Sequence, residues 1–401
     1  MNDFIDTQRV WLEVDLDAIS HTGKIIRQEL LPPQTKIMAV LKSDAYGLGA
    51  TYLATYLEEK ELVDWFAVAC ISEAISLRKS GVTKPILILG HTSCCYASLL
   101  ATYKITQTVG SLEYALALHQ ELIKHNQRID IHLKINTGMN RLGFDYTKPQ
   151  DESNFLHEIL TVLAMTTLRS TGMYSHLCTS LSYTAKDKEM SIFQAQNFMK
   201  AKELLEKYHG PLEYYHLCNT GGAINYPKYA FDMIRVGSLL WGLCGVTPDI
   251  SQRITPHFPT TIQMKSKVVM TRTLKPSDYA GYAFGYQAQK ETDIAIVSCG
   301  YTDGFSRSQS NQGFVLIHGQ KAKVIGKVCM DSMMIDISGI KDVKIGDIVT
   351  IFGNDGNLTI TCGQVAQNAD MIEPEVTTLI GRRVPRMYYE NKTLKHIENF
   401  L

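Results

Sequence analysis

The sequence predicts an N-terminal (β/α)8 barrel followed by a C-terminal all-β domain, an α/β plus all-β chain. Three features carry that expectation. Up to Gly237, eight short apolar runs alternate with amphipathic helical stretches. After Pro259 the texture changes to short β-branched runs separated by turns. Between the two lies VTPDISQRITPHFP, polar and broken by proline.

The eight runs are KIMAVLK (36–42), DWFAVAC (64–70), ILILGH (86–91), TQTVG (106–110), DIHLKI (130–135), TGMYSH (171–176), YYHLCN (214–219) and FDMIRVG (231–237). Most are continuous in apolar character, as expected of parallel strands covered on both faces. The stretches between them, such as ATYLATYLEEKEL, ISEAISLRKSG, SLEYALALHQELIKH and SIFQAQNFMKAKELLEKYHG, have helical spacing. A doubly wound open sheet gives the same local pattern; the count of eight favours a barrel. In the second part, TIQMKSKVVMTRTL, IAIVSCGY, FVLIHG, KAKVIGKVCM, MMIDIS and DIVTIFG read as strands, with turns at Gly319-Gln320 and Asn354-Asp355-Gly356. The domains are expected at 1–255 and 256–401, with the extreme N-terminal strand free to pack with the β domain.

Composition narrows the function. Lys+Arg and Asp+Glu both number 40, so the formal net charge is zero. That balance argues against nucleic acid or a membrane surface as partner and suits a small, nearly neutral substrate. The opening MNDFIDTQRVWLEVDLD lacks the shape of a secretory signal, and no apolar run approaches the ~20 residues of a membrane span. Nine scattered cysteines show no CxxC pair and no zinc spacing. Free thiols in a reducing cytoplasm, with no metal site, are the expectation.

Lys42 ends the first run, in AVLKSDAYGLG. A lysine at the C-terminal end of a barrel strand faces the side where barrel enzymes keep their chemistry. Apolar flanks lower its pKa and free its amine for a Schiff base. In isolation such a lysine reads more readily as a surface group in a strand-helix loop. The following Asp44-Ala45-Tyr46-Gly47-Leu48-Gly49 adds two glycines that admit a ligand close to backbone, and a Tyr46 hydroxyl for a phosphate oxygen. Phosphate sites in barrels gather after strands seven and eight. Here those loops are Asn219-Thr220-Gly221-Gly222-Ala223 and Arg235-Val236-Gly237-Ser238, small residues with N–H groups and hydroxyls.

AVLKSDAYGLG, HLKINTGMNRLGF, YSH, DMIRVGSLLWG, GYTDGFSR, GKVCMDSMMIDIS and GRRVPRMYY, in this order, resemble the signature blocks of the alanine racemase family and cover nearly the whole chain. The resemblance implies a barrel plus a β domain, pyridoxal 5'-phosphate (PLP) as cofactor, and a homodimer with active sites shared between subunits. It also implies interconversion of L- and D-alanine by two bases. Lys42 would hold PLP covalently and then serve as base on one face of Cα. Tyr282, in AGYAFGY, would serve the other face from the partner subunit; Tyr279 and Tyr286 stand close by, and spacing favours Tyr282. His176 would hydrogen-bond that tyrosine, whose ordinary pKa near ~10 must fall for work near neutrality.

By the same resemblance, Arg235 faces the pyridine nitrogen, leaving it unprotonated and disfavouring a long-lived carbanion. Arg141 lies near the PLP 3'-oxygen and the substrate carboxylate, and Lys134 matches a lysine that carries a carbamate in many members. Met330 and Asp331 frame the substrate carboxylate from the partner subunit, and Tyr301 narrows the entrance. Tyr46, Thr220, Gly237 and Ser238 match phosphate contacts, with Asn219 beside them in the cofactor loop.

The chain departs from the family at several places. Pro374 stands where a tyrosine usually walls the pocket, which implies a roomier site. Asn136 replaces an aspartate, Leu48 a histidine, and Leu-Cys-Thr-Ser follows His176 where an acid is common. Three other readings remain: the same racemisation on serine or another amino acid, a PLP decarboxylase of similar architecture, and a non-catalytic PLP-binding protein. Arg235 opposes the second. Retention of Lys42, His176, Arg235 and Tyr282 together opposes the third.

Overall fold

The computed structural model describes residues 7–182, 184–243 and 258–399. The boundary expected at 255/256 lies outside the described residues. The chain forms two compact units: Gly23–Ala45 with Ala50–Leu240, and Met1–Thr22 with Tyr46–Gly49 and Trp241–Leu401.

The first unit is the barrel. Its strands are β2 (Lys36–Val40), β3 (Trp65–Val68), β4 (Ile86–Ile88), β5 (Thr106–Val109), β6 (Ile129–Asn136), β7 (Leu168–Tyr174), β8 (Tyr214–His216) and β9 (Met233–Val236). They run parallel in the order β9-β2-β3-β4-β5-β6-β7-β8, and helices alternate with them along the chain. The ends approach one another: Asp232 N–H donates to Tyr215 O at 3.1 Å and Arg235 N–H to Cys218 O at 3.0 Å, so the ring is nearly closed. Each of the eight expected runs supplies one strand. They are buried from end to end at β3, β4, β5 and β9, as strands covered on both faces must be.

Barrel interiors usually fill with Val, Ile and Leu. This one places His132, Lys134, His216 and Arg235 in the interior, all nearly inaccessible to solvent. Buried polar groups of this kind need partners, and the partners define the site.

The second unit is a ten-stranded sheet containing β1 (Val10–Asp15), β10 (Ile262–Leu274), β11 (Thr292–Val297), β12 (Phe314–Ile317), β13 (Gln320–Ile325), β14 (Met333–Asp336), β15 (Ile348–Asp355), β16 (Leu358–Ile360), β17 (Arg386–Glu390) and β18 (Thr393–Glu398). The order is β16-β15-β12-β13-β14-β11-β10-β1-β17-β18, and an added β15–β10 pairing closes six of these strands on themselves. β1 runs antiparallel to β10 (Val10 opposite Ser266) and parallel to β17 (Leu12 opposite Arg386). The β12–β13 hairpin turns at His318 and Gly319, φ 51° and 68°, the double positive φ of a tight primed turn. No helix among the described residues is long and apolar enough to cross a membrane.

Candidate active site

Lys42 does not end its strand. β2 stops at Val40, Leu41 N–H still bonds Ala67 O at 2.7 Å, and Lys42 opens the next turn. In that turn Ser43, Asp44, Ala45 and Tyr46 all have positive φ, between 52° and 60°, before Gly47 at 85°. Four consecutive left-handed L residues cost about 1–2 kcal/mol each, so the turn needs anchors. Ser43 N–H donates to Glu73 Oε1 (2.6 Å), Ala50 N–H to Asp44 Oδ1 (2.7 Å) and Ala45 N–H to Leu41 O (2.8 Å). Burial, then the charge of Arg141, holds the Lys42 amine below its ordinary 10.5, while Glu73 pulls the other way. Burial pushes the Tyr46 phenol up to about 12, so it stays protonated near neutrality and can donate.

Arg235 lies at the centre of the barrel group. Nη1 donates to His216 Nδ1 (2.8 Å) and His216 O (3.1 Å). Nη2 faces Ser175 O (2.7 Å), Leu217 O (3.0 Å) and His176 Nδ1 (3.3 Å). The Nε–H has no acceptor among the described residues. Burial lowers the guanidinium to about 10, still well above neutrality, so it remains a donor.

His176 also faces Asn219 Nδ2 through Nε2, at 3.3 Å. A neutral imidazole has one ring nitrogen that accepts and one that donates. It cannot accept from both Arg235 and Asn219. The charged donor makes the stronger bond, so Nδ1 accepts a hydrogen that Arg235 Nη2 shares with the Ser175 and Leu217 carbonyls, and Nε2 carries a hydrogen for another group. Burial, then the charge of Arg235 and the neighbouring basic groups Lys134, Arg141 and Lys42, hold His176 neutral, its pKa far below the usual histidine range.

Lys134 is buried with its Nζ over the Tyr174 ring, and burial, Arg235 and Arg141 lower its pKa strongly. Arg141 is exposed at the end of a turn organised by Asn136. The Asn136 amide donates to Asp145 (2.7 Å) and Asn140 (3.0 Å) and accepts from Asn140 N–H (2.9 Å). An amide suits this place, because an ionised aspartate there would face the Asp145 carboxylate. The Asn219 side chain turns inward: it accepts from Ser180 and from Gly222 N–H and donates to Leu177 O. Thr220 accepts from Gly237 N–H at 3.4 Å, which ties the two expected phosphate loops together, and half-buried Ser238 follows. The N–H groups of Gly222 and Gly237 are thus already engaged. A cavity of about 580 Å³, lined by Trp65, Asp130, Arg169 and Tyr214 among others, opens at the opposite, N-terminal ends of the strands.

The β unit gathers the other expected residues. The turn of Gly281–Gly285 carries Tyr282, 70% exposed, and packs on Lys327, three residues before Met330. Tyr301 N–H donates to Cys329 O and Thr302 N–H to Met330 O, both at 3.1 Å, so Tyr301, Met330 and Asp331 form one surface. Fully buried Asp303 anchors it, accepting from Arg9, Arg383 and Gly300 N–H, while Arg383 also pairs with Asp331. Pro374 sits in the first turn of the helix Glu373–Thr378, where a proline gives up no helical hydrogen bond. Leu48 is buried, and its carbonyl accepts from Tyr388 OH at 2.7 Å.

The sequence reading missed Tyr174, His216 and His132. Tyr174 stacks on His216 at 4.7 Å and hydrogen-bonds Thr108 (2.9 Å); His216 Nε2 meets His132 Nδ1 at 2.9 Å. A usable signal existed: in IHLKIN, His132, Lys134 and Asn136 alternate on one face of an otherwise apolar strand.

Residues 14–245 match the family described as alanine racemase, N-terminal domain, and residues 261–388 match alanine racemase, C-terminal domain. The chain is 35% identical to alanine racemase 1 of Caldanaerobacter subterraneus subsp. tengcongensis over 94% of both chains. It is 34% identical to the alanine racemase of Clostridium perfringens over 98% of both. Among solved structures it resembles the alanine racemase of Clostridium difficile 630 (TM-score 0.88, 32% identity, 98% of this chain and 99% of that one). It also resembles that of Bacillus anthracis with bound L-Ala-P (TM-score 0.88, 27% identity, 98% of both).

Proposed function

This chain belongs to the alanine racemase family, and on that premise we propose that it binds PLP through Lys42 and interconverts L- and D-alanine. The family is PLP-dependent in general. The observation that carries the reading is the donor set at one end of the barrel: a lowered Lys42 amine, the cations Arg141 and Arg235, and an Arg235 Nε–H without an acceptor among the described residues. That set fits an anionic pyridine cofactor, with the Nε–H matched to a ring nitrogen that only accepts. The protonated phenol of Tyr46 suits a phosphate oxygen, as do the hydroxyls of Thr220 and Ser238, with Asn219 shaping their loop; the Gly237 N–H is spent on Thr220.

When bound, PLP supplies the electron sink that makes the substrate Cα proton labile. The chain's residues do the rest. Lys42, neutral more readily than a free lysine, takes or returns a proton on one face of Cα. Tyr282 of the partner subunit does so on the other, with His176 Nε2–H donating to its oxygen. Arg235 keeps its own proton and so gives none to the ring nitrogen. Arg141 and the backbone N–H of the partner subunit's Met330 hold the substrate carboxylate, the partner's Asp331 orients that segment, and Tyr301 limits entry.

The exposure of Tyr282, Phe284 (75%) and Met330 (53%) on the β unit supports a homodimer in which these side chains are covered by a second copy. The named activity of the relatives favours alanine over serine. Arg235, in place of an acid, opposes a decarboxylase.

Borohydride reduction of the PLP-loaded protein followed by peptide mapping tests the reading. We expect the cofactor on the peptide containing Lys42, and D-alanine carrying Cα deuterium when L-alanine is turned over in deuterated water. Cofactor trapped elsewhere, or no chiral inversion, overturns it.

A further inference from the structure

Below Arg235 the barrel interior holds a line of hydrogen bonds with a fixed direction. A guanidinium only donates, so Arg235 Nη1 requires the lone pair of His216 at Nδ1. The His216 hydrogen is then on Nε2, where it donates to His132 Nδ1 at 2.9 Å. That in turn places the His132 hydrogen on Nε2. This nitrogen is buried and has no hydrogen-bond partner among the described residues. An orphaned buried donor is uncommon in a native interior and calls for a reason.

The neighbouring strand is shaped to admit this ring. A Cβ on Gly172 would stand 2.7 Å from His132 Nε2 and Cδ2. Gly172 lies within β7 at an ordinary φ, so the backbone does not demand glycine there; the imidazole does. The β6–β7 register also shifts at this point: Ile131 pairs with Ser170 but His132 with Gly172, leaving Thr171 as an extra residue. Such a bulge re-aims the side chains beside it. Trp65, with its ring 5.2 Å from the imidazole, and Tyr214, at 6.2 Å, hold the ring from the other sides.

We infer that His132, seated on Gly172, is a positioning residue: by accepting from His216 Nε2–H it shares with Arg235 in holding the His216 tautomer, and so keeps the plane of Arg235. With Nη1 held by His216, and Nη2 by Ser175, Leu217 and His176, only the Nε–H remains to address an acceptor at the cofactor end. This inference rests on the proposed PLP reading for its catalytic consequence, though not for the tautomer itself.

Side-chain ¹⁵N NMR of the full chain, labelled at histidine and free of PLP, reads the tautomer directly. Wild type should show His216 with an unprotonated Nδ1 and a protonated Nε2. Gly172→Ala and His132→Leu should move the His216 signals toward a tautomer mixture, while His132→Asn, which keeps an acceptor near the Nδ1 position, should restore the wild-type pattern. In the PLP-loaded enzyme, Gly172→Ala and His132→Leu should lower kcat on the order of tenfold, the scale of one lost hydrogen bond, with KM for alanine changed less than about twofold. His132→Asn should recover most of the rate.

Unchanged His216 signals in both Gly172→Ala and His132→Leu overturn the inference. So does an altered tautomer with unaltered kcat. If wild type shows the expected tautomer but neither binds PLP nor racemises alanine, the functional reading fails and the tautomer assignment stands. Gly172→Ala adds one methyl group and serves where His132→Leu does not fold.

Discussion

Lys134 Nζ lies 4.3 Å from the centre of the Tyr174 ring, and the opposite pressures on that amine set its chemistry. The ring face attracts a cation, whereas burial and the charges of Arg235 and Arg141 oppose one. A neutral amine adds to CO2: the N–C bond forms, one proton leaves, and the anionic carbamate pairs with Arg141. We expect the folded protein in ¹³C-bicarbonate to show a carbamate carbon signal by NMR that Lys134→Gln lacks and that acidification removes. Lys134→Gln should slow racemisation on the order of tenfold, the scale of a charge-assisted hydrogen bond.

Acid should unfold the protein through its interior histidines. Burial lowers His132 to about 3 and holds His216 well below its ordinary 6.5. Between 6.5 and the folded values the unfolded chain binds protons that the folded chain does not, so stability is lost as pH falls through that window. Each such histidine contributes up to about 1.4 kcal/mol per pH unit. Urea midpoints measured from pH 7 to pH 4 should fall steeply, and His132→Asn should remove one proton from the slope.

Asp303 should control substrate binding without touching substrate. It is fully buried between Arg9 and Arg383 beneath Tyr301 and Met330. Asp303→Ala should destabilise by roughly 3 kcal/mol, as expected when a buried ion pair loses one partner. It should raise KM for alanine more than it lowers kcat. Thermal melting and steady-state kinetics on one preparation check both.

Tyr282→Phe removes one of two proton carriers. Racemisation should fall at least about a hundredfold, the usual worth of a positioned acid or base. Exchange of the Cα proton from the Lys42 side should persist in one enantiomer. Proton NMR of L- and D-alanine in deuterated water separates the two faces.

Pro374→Tyr should narrow the pocket. The first helical turn tolerates the exchange, because no hydrogen bond depends on proline there. The ratio of kcat/KM for alanine over serine should rise by about tenfold, within what one apolar contact can supply. A panel of L-amino acids with chiral product detection measures it.

The barrel strands were legible because most of their length is buried, and in most of them a nearly continuous apolar run marks it. Amphipathic spacing likewise marked helices such as Leu112–Lys124. The turn after Lys42 was not legible in conformation. Ser43, Asp44, Ala45 and Tyr46 are ordinary residues, and what holds them left-handed is Glu73 and Asp44 bonding backbone that no local pattern announces. The polar barrel interior was hidden for a related reason. His132, His216 and Arg235 are 84 and 19 residues apart in sequence and meet only when the sheet rolls up. Of the expected catalytic groups, Lys42, His176 and Arg235 were visible because each falls at or near the end of one of the eight runs. Asp303 and its arginines, separated by 294 and 80 residues, were not.

The membership of β1 and of Tyr46–Gly49 in the β unit limits how this gene can be cut. A fragment ending at Leu243 would retain Val10–Asp15 stripped of both ladder neighbours, β10 and β17. It would also lose the Arg386 and Tyr388 donors that hold the carbonyls of Gly47 and Leu48. Bare strand edges of that kind recruit other chains. Truncation should therefore yield aggregates instead of an autonomous barrel, and any split version must carry the first twenty residues with the C-terminal piece.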